Sequence, residues 1–224
     1  MDTPKKNKPK GKATITPDKI RSAYVEYLLT KGKRPATVYK FCKEAGFSED
    51  AFYAEFGSFA GIEKEIWKGF AQVTINRLEA DKNFEGFNAR EKILAFYFTL
   101  IEVLRAERSL VLFQLKDWKV PGLPPVFIKS FKSIFDTWVE TVLDEGKKSG
   151  EIAKRPYLDK KYSPLLWFHL QFILRFWSHD DSAGFEKTDA AIEKSVNLAF
   201  DLIGKGIIDN ALDFGKFLYQ QARD

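Results

Sequence analysis

The sequence predicts an all-α protein with a small N-terminal domain and a larger C-terminal one. Apolar residues recur mainly at spacings of three and four, and the alternation typical of strands is scarce. Proline and glycine, with polar neighbours, separate the apolar segments. Because 45% of the 224 residues are hydrophobic, we expect a sizeable hydrophobic core that folds without disulfides or structural metal ions. The single cysteine, Cys42, excludes an internal disulfide, and with only two histidines we expect neither a metal site nor a cofactor.

The first twelve residues form a basic segment, which we expect to be a disordered arm. It carries one aspartate and five lysines, and so accounts for +4 of the chain's net charge of +5: Lys5, Lys6, Lys8, Lys10 and Lys12. No apolar stretch follows, so we expect neither a secretory signal nor a membrane anchor, and a cytoplasmic location. Two interpretations remain open: an arm that contacts DNA phosphates, or a solubilising tail.

Three short helices are predicted next, each from its own start and stop signals. Thr16 and Thr37 are expected to cap the first two helices, and Ser48 the third. Gly32 and Gly46 are expected to end the first and second helices in the left-handed conformation. A short turn with glycine therefore joins two helices, which is the layout of a helix-turn-helix.

This segment resembles the signature of the TetR family of transcriptional regulators. The A-G-F-S turn at residues 45–48 and the F-Y-x-x-F that follows are its most specific parts, and the resemblance covers residues 15 to about 67. It implies a DNA-binding domain at residues 13–58, and a helical ligand-binding and dimerisation domain at residues 59–224. It also implies that several side chains face operator DNA: Thr37, Lys43, Ser48, Glu49, Asp50 and Tyr53.

The third helix departs from the family pattern in its charge. It carries Glu49, Asp50 and Glu55 and no lysine or arginine, so its surface should repel a polyanion. Acidic residues in a first turn also complement the helix dipole, which is a structural explanation for two of them. Ala51 stands where the family usually has threonine, and Phe59 stands where it usually has a phosphate-contacting lysine.

The rest of the chain is predicted to form six or seven more helices, the number that a TetR-like ligand domain needs. The apolar periodicity places them at residues 61–81, 89–108, 110–118, 124–148, 161–179, 187–202 and about 208–221. Turn-forming residues separate them.

Large aromatic residues are concentrated in this second domain, where four of the five tryptophans lie between Trp118 and Trp177. Rigid rings with a few polar groups are typical of a small-molecule site, although ordinary core packing is the alternative. The candidate ligand-binding residues are Phe113, Trp118, Phe131, Phe135, Trp138, His169, Phe172, Arg175 and Phe176. For His169 and Arg175 the alternatives are a hydrogen-bonded core histidine and a solvent-facing arginine.

The segment at residues 165–177 has apolar residues on two flanks and therefore needs burial on two sides. It is too short and too polar to span a bilayer. One flank is expected to pack on its own domain and the other on a second subunit, which predicts a homodimer.

Two functions from different classes remain. No phosphate-binding loop, metalloprotease motif or nucleophile elbow is present, so we expect no catalysis. The first hypothesis is a TetR-like regulator that binds operator DNA as a dimer and responds to an apolar ligand. The alternative is a TetR-fold protein that binds a lipid or other apolar molecule and has lost specific DNA binding.

Overall fold

The structure is a computed structural model that describes residues 15–118, 124–204, 206, 214–215 and 218–221. Within these residues every regular element is a helix and no strand occurs, as the sequence predicts. The chain divides into two compact units, which we call unit 1 (up to Ile62) and unit 2 (from Glu63). The predicted basic arm at residues 1–12 lies outside the described residues.

Unit 1 contains three short helices and the start of a fourth. They are α1 (Pro17–Lys31), α2 (Val38–Ala45), α3 (Glu49–Glu55) and α4 (Phe59–Glu79). The three predicted N-caps are present: the side chains of Thr16, Thr37 and Ser48 each accept from a backbone N–H three residues on. Gly32 and Gly46 end α1 and α2 with φ of 65° and 81°, which a side chain with a Cβ rarely adopts.

An aromatic cluster forms the core of unit 1 around Phe41. Its ring makes edge contacts with five other rings, at centroid distances between 5.4 and 6.2 Å: Tyr24, Tyr27, Phe47, Phe52 and Phe59. Phe59 also stacks on Tyr24 at 5.2 Å. Phe59 is therefore a packing residue of unit 1, which gives its departure from the family pattern a structural reason.

Unit 2 contains the rest of α4 and five more α-helices among the described residues. They are α5 (Ala89–Ala106), α6 (Arg108–Leu115), α7 (Lys129–Ser149), α8 (Asp159–His179) and α9 (Glu186–Ile203). Short 3₁₀ turns precede α5, α7 and α9. Helix α5 packs on α7 and α9, while α8 packs on the same two helices. Six of the predicted helices correspond to α4–α9, and the seventh, at about 208–221, falls mostly outside the described residues.

The turn between α8 and α9 is fixed by Asp180. Its carboxylate accepts four hydrogen bonds, from the backbone and hydroxyl of both Ser182 and Thr188, at 2.6 to 2.9 Å. Burial acts to raise the pKa of this carboxyl, but these bonds outweigh it and hold the pKa well below its usual value.

The Arg108 guanidinium lies over the rings of Trp177 and Phe185, at 4.4 and 4.3 Å. Phe185 has a φ of 69°, which is unusual for a residue with a side chain.

Across the described part of the chain, no helix combines the length and the apolar character that crossing a membrane requires. The same residues contain no group of three metal-ligating side chains close together.

Candidate functional site

The predicted DNA-facing residues lie on the surface of unit 1. Lys43 of α2 and Asp50 and Tyr53 of α3 are exposed, and Glu49 is half-buried. The hydroxyls of the remaining two predicted residues, Thr37 and Ser48, serve as helix caps. The five lysines predicted to contact phosphates belong to residues 1–12, which the structure does not describe.

The charge of this surface differs between its two helices. Helix α2 contributes the exposed Lys40 and Lys43, and neither forms an ion pair with any other described residue. Helix α3 contributes only acidic charge, because Asp50 and Glu55 are exposed and no cation lies on it. A polyanion would therefore be attracted to the α2 side and repelled by the α3 side.

Unit 2 contains an open groove between the end of α6 and helix α8, with a volume of about 750 Å³. Ligand pockets in proteins have volumes of about 300–1,000 Å³, so a small organic molecule fits. Six apolar residues line the groove: Leu112, Leu115, Trp118, Phe168, Phe172 and Leu174. Five polar residues line it as well: Lys116, Gln171, Arg175, Ser178 and His179.

Three of the nine predicted ligand-binding residues, Trp118, Phe172 and Arg175, meet in this groove. Phe176 lines an adjoining cleft of about 420 Å³, which shares Phe172, Arg175 and His179 with the groove. The sequence pattern thus identified part of one wall of the groove, on α8. The prediction did not include eight lining residues: Leu112, Leu115, Lys116, Phe168, Gln171, Leu174, Ser178 and His179.

Four other predicted aromatic residues do not line the groove. Phe131 and Phe135 are completely buried, and both rings lie about 6 Å from that of Trp167 in the core. Trp138 stacks on Phe96 at a centroid distance of 4.5 Å. Phe113 is half-buried on α6 and is not among the lining residues.

His169 does not line the groove either, and lies within a hydrogen-bonded network. Its Nδ1 is 3.2 Å from the Tyr97 hydroxyl, and its Nε2 is 2.7 Å from the Ser195 hydroxyl. These hydroxyls also reach backbone carbonyls, Tyr97 that of Leu166 at 3.2 Å and Ser195 that of Ala191 at 2.5 Å. Burial lowers the pKa of His169 to about 4, so the ring is neutral at pH 7. The arrangement matches the core-histidine alternative.

Arg175 is exposed, as its solvent-facing alternative has it, and yet it lines both the groove and the cleft. Neither Arg175 nor Lys116 forms an ion pair with another described residue. The backbone carbonyl of Arg175 accepts from the Ser178 hydroxyl at 2.7 Å and lies 2.8 Å from Nδ1 of His179. The Ser178 hydroxyl also lies 2.9 Å from the same nitrogen. The cationic groups on the polar side of the groove are therefore the Lys116 ammonium and the Arg175 guanidinium.

Large apolar side chains are exposed on α8 and α9. They are aliphatic and aromatic residues, each at least two-fifths exposed: Leu165, Phe168, Phe172, Leu198 and Leu202. Phe168 and Phe172 also line the groove, whereas the three leucines do not. Exposed apolar side chains of this size are candidates for an interaction surface.

Comparison with known proteins gives a family match for this sequence. The sequence profile of the family described as tetracyclin repressor-like, C-terminal domain, matches residues 92–218, which is more than half of the chain. The comparison with curated proteins yields no significant match.

Solved structures of low sequence identity share the fold. A candidate TetR-family transcriptional regulator from Syntrophomonas wolfei str. Goettingen has a TM-score of 0.64 at 16% identity, covering 86% of this chain and 97% of that one. A candidate tetR-family transcription regulator from Shewanella sp. PV-4 has a TM-score of 0.59 at 13% identity, with 84% and 97% covered. The TetR-family transcriptional regulator PfmR from Thermus thermophilus has a TM-score of 0.51 at 18% identity, with 84% and 99% covered. The chain thus has the all-α fold of TetR regulators, and it belongs to the tetracyclin repressor-like family, whose C-terminal domain lies in unit 2.

Proposed function

We propose that this protein is a ligand-responsive transcriptional regulator of the TetR kind, which binds operator DNA as a homodimer in the cytoplasm. The observation that carries the proposal is that one chain holds both a fully capped helix-turn-helix and an open, largely apolar groove of about 750 Å³. A DNA-binding domain and a ligand site are the two parts that such a regulator needs. The protein acts by binding, without catalysis.

Dimer formation through α8 and α9 would cover the exposed apolar side chains of both helices that do not line the groove. On α9 these are Leu198 and Leu202, which lie four residues apart and so on one face of the helix. On α8 the corresponding residue is Leu165, since Phe168 and Phe172 line the groove. A two-fold interface places the same residues on both subunits, and it supplies two helix-turn-helix units for a palindromic site.

DNA binding would rest mainly on phosphate contacts. Lys43 of α2 and the lysines of the arm supply the attraction, while Thr37, Ser48, Glu49, Asp50 and Tyr53 face the groove of the DNA. An acidic side chain such as Asp50 accepts a hydrogen bond from a cytosine amine, but adds repulsion from phosphates. Affinity should consequently fall steeply with salt. Ligand binding would shift the population between two dimer geometries, of which one fits the operator.

A second function is favoured by two specific observations. Helix α3 exposes Asp50 and Glu55 and carries no cation, and Phe59 is used for packing where a phosphate-contacting lysine is usual. These features favour a TetR-fold protein that binds a lipid or other apolar molecule and no longer recognises an operator.

Fluorescence anisotropy with labelled DNA distinguishes the two. The purified protein is titrated with its own upstream intergenic duplex and with a scrambled duplex, at low and moderate salt, and then again without residues 1–12. Selective binding that persists at moderate salt is expected for the regulator. Weak, equal binding to both duplexes, abolished by salt or by removing the arm, would leave the apolar-molecule binder.

A further inference from the structure

We propose that the groove of unit 2 selects a monocarboxylate with a long apolar tail over neutral and cationic molecules of the same shape. This inference rests on the proposed function of the groove as a ligand site. It adds the chemical class of the ligand, and it follows from how charge is distributed around the groove.

The walls of the groove supply the apolar part of the site. Trp118 on one side and Phe168 and Phe172 on the other provide flat rings. Leucines of α6 and α8 complete the apolar lining. Burial of a hydrocarbon tail against such walls contributes roughly 25 cal/mol per Å² of apolar surface removed from water. The walls alone do not discriminate between charged and neutral head groups.

The charged lining residues have one sign. Lys116, just after α6, and Arg175, on α8, lie on the two sides of the groove, and none of the aspartates and glutamates that the structure describes lines it. Neither cation is paired with a carboxylate elsewhere in the described part of the chain. Both are therefore available to a bound anion, and the planar guanidinium of Arg175 matches a carboxylate in a two-point contact.

The carboxylates of the adjoining cleft do not compete for these cations. Asp180 is saturated by the hydroxyls and backbone N–H groups of Ser182 and Thr188. Asp181 is paired with Lys187 at 3.0 Å. Arg175, which lines both the groove and the cleft, is left without an acidic partner among the described residues.

The end of α8 carries partial negative charge on its last carbonyls, which would oppose an anion. At this site the carbonyl of Arg175 already accepts from the Ser178 hydroxyl. The charged groups presented to a ligand are thus the guanidinium of Arg175 and the ammonium of Lys116. Each cation can pair with a carboxylate oxygen, whereas an ammonium group would be repelled by both.

The test compares three probes of equal tail length: dodecanoate, dodecanol and dodecyltrimethylammonium, each below its micelle-forming concentration. Binding to the full chain is measured by titration calorimetry and by tryptophan fluorescence, because Trp118 lines the groove. We expect dodecanoate to bind roughly tenfold more tightly than dodecanol, the range two partly exposed ion pairs can supply, and the ammonium to bind most weakly. Of the three probes, only dodecanoate should bind more weakly when salt is added, because salt screens its attraction to the two cations.

Variants then assign the preference to the two cations. Lys116→Gln and Arg175→Gln should each weaken dodecanoate roughly two- to fivefold and leave dodecanol unchanged. Lys154→Gln and Arg77→Gln remove exposed cations that do not line the groove, and should change nothing. Circular dichroism checks that all four variants fold.

Two different failures are distinguishable. Equal binding of dodecanoate and dodecanol, or tighter binding of the ammonium, would overturn the carboxylate preference and leave the groove as an apolar ligand site. If none of the three probes binds, the proposed function of the groove fails as well. A preference for dodecanoate that survives in both groove variants would assign the carboxylate to another part of the protein and overturn the inference.

Discussion

Unit 1 and unit 2 present opposite charge at the places where binding is expected. In unit 1, the family resemblance predicts that α3 faces DNA, which is a polyanion. This helix exposes Asp50 and Glu55 and carries no cation. The groove of unit 2, whose walls are apolar, has Lys116 and Arg175 as its charged residues in the described part of the chain, with no acidic residue among them. A shared fold therefore fixes where a binding surface lies, whereas the charge on that surface is particular to the chain.

The units also differ in how they are held together. Unit 1 has one aromatic centre and four side-chain N-caps, at Thr16, Thr37, Ser48 and Ser58, while the core of unit 2 extends over six helices. Single substitutions test these contributions one at a time. In order of decreasing expected effect, they change core packing, the protonation of a histidine, a helix cap and a surface charge.

The largest effect is expected from Phe41→Ala in unit 1. Phe41 is fully buried and touches five other rings, so its loss leaves a cavity that the neighbouring rings cannot fill. We expect the free energy of unfolding to fall by about 3–5 kcal/mol, measured by urea denaturation. Tyr39→Ala, which changes an exposed ring on the same helix, is the control and should cost less than about 0.5 kcal/mol. Equal costs for the two variants would contradict the cluster as the centre of unit 1.

Acid sensitivity between pH 6.5 and pH 4 should belong to unit 2, which holds both histidines of the chain. Burial lowers the pKa of His169 to about 4, so below the unfolded value of about 6.5 the unfolded chain binds the proton more readily than the folded one. Stability is therefore lost as the pH falls through this window, by up to about 3 kcal/mol.

The check is the pH dependence of the unfolding free energy in two variants. His169→Gln should remove most of the loss between pH 6.5 and pH 4, and the exposed His179→Gln should retain it. A wild-type protein whose stability is flat over that range would contradict a neutral, buried His169.

A smaller effect is expected at the turn of the helix-turn-helix. The Ser48 hydroxyl accepts from the backbone N–H of Ala51 at 3.2 Å and caps α3. Ser48→Ala should cost about 1 kcal/mol of unfolding free energy. Ser133→Ala, an exposed serine inside α7, should cost nothing or stabilise slightly, because alanine is the better helix former there. A cost as large for the α7 variant would show that the cap contributes nothing of its own.

The smallest effect concerns the acidic surface of α3. Glu55→Lys should strengthen binding to scrambled duplex several-fold at low salt and steepen the salt dependence by about one unit of slope, through one added phosphate contact. Glu79→Lys, an exposed glutamate at the end of α4, is the matched control. If both variants gain equally, net charge rather than the position of α3 sets the affinity.

Unit 1 could be predicted from sequence in detail because its signals are local. Thr16, Thr37 and Ser48 act on backbone groups three residues away, and Gly32 and Gly46 are required by the left-handed backbone at their own positions. The helices of unit 2 were also located to within a few residues, with one displaced start. Residues 124–128 form an extended and 3₁₀ entry, so α7 begins at Lys129 and not at Pro124.

The groove was predicted only in part because it depends on contacts between distant segments. The apolar spacing of α8 identified Phe172 and Arg175, but it could not tell which rings of α7 face the core, and Phe131 and Phe135 are both fully buried. Lys116 follows the last residue of α6, and the apolar spacing that predicts this helix gives no sign that the lysine lines a groove. Its place in the groove follows from the packing of α6 beside α8, which no local signal encodes.

The network around His169 has a further consequence, which concerns protons and not heavy atoms. In one order Tyr97 donates to Nδ1, Nε2 donates to Ser195, and Ser195 donates to the carbonyl of Ala191. In the other order Ser195 donates to Nε2, Nδ1 donates to Tyr97, and Tyr97 donates to the carbonyl of Leu166. Both orders make three hydrogen bonds with a neutral ring. Either tautomer of His169 therefore fits the same heavy-atom positions, so the ring can change tautomer without any side chain having to move.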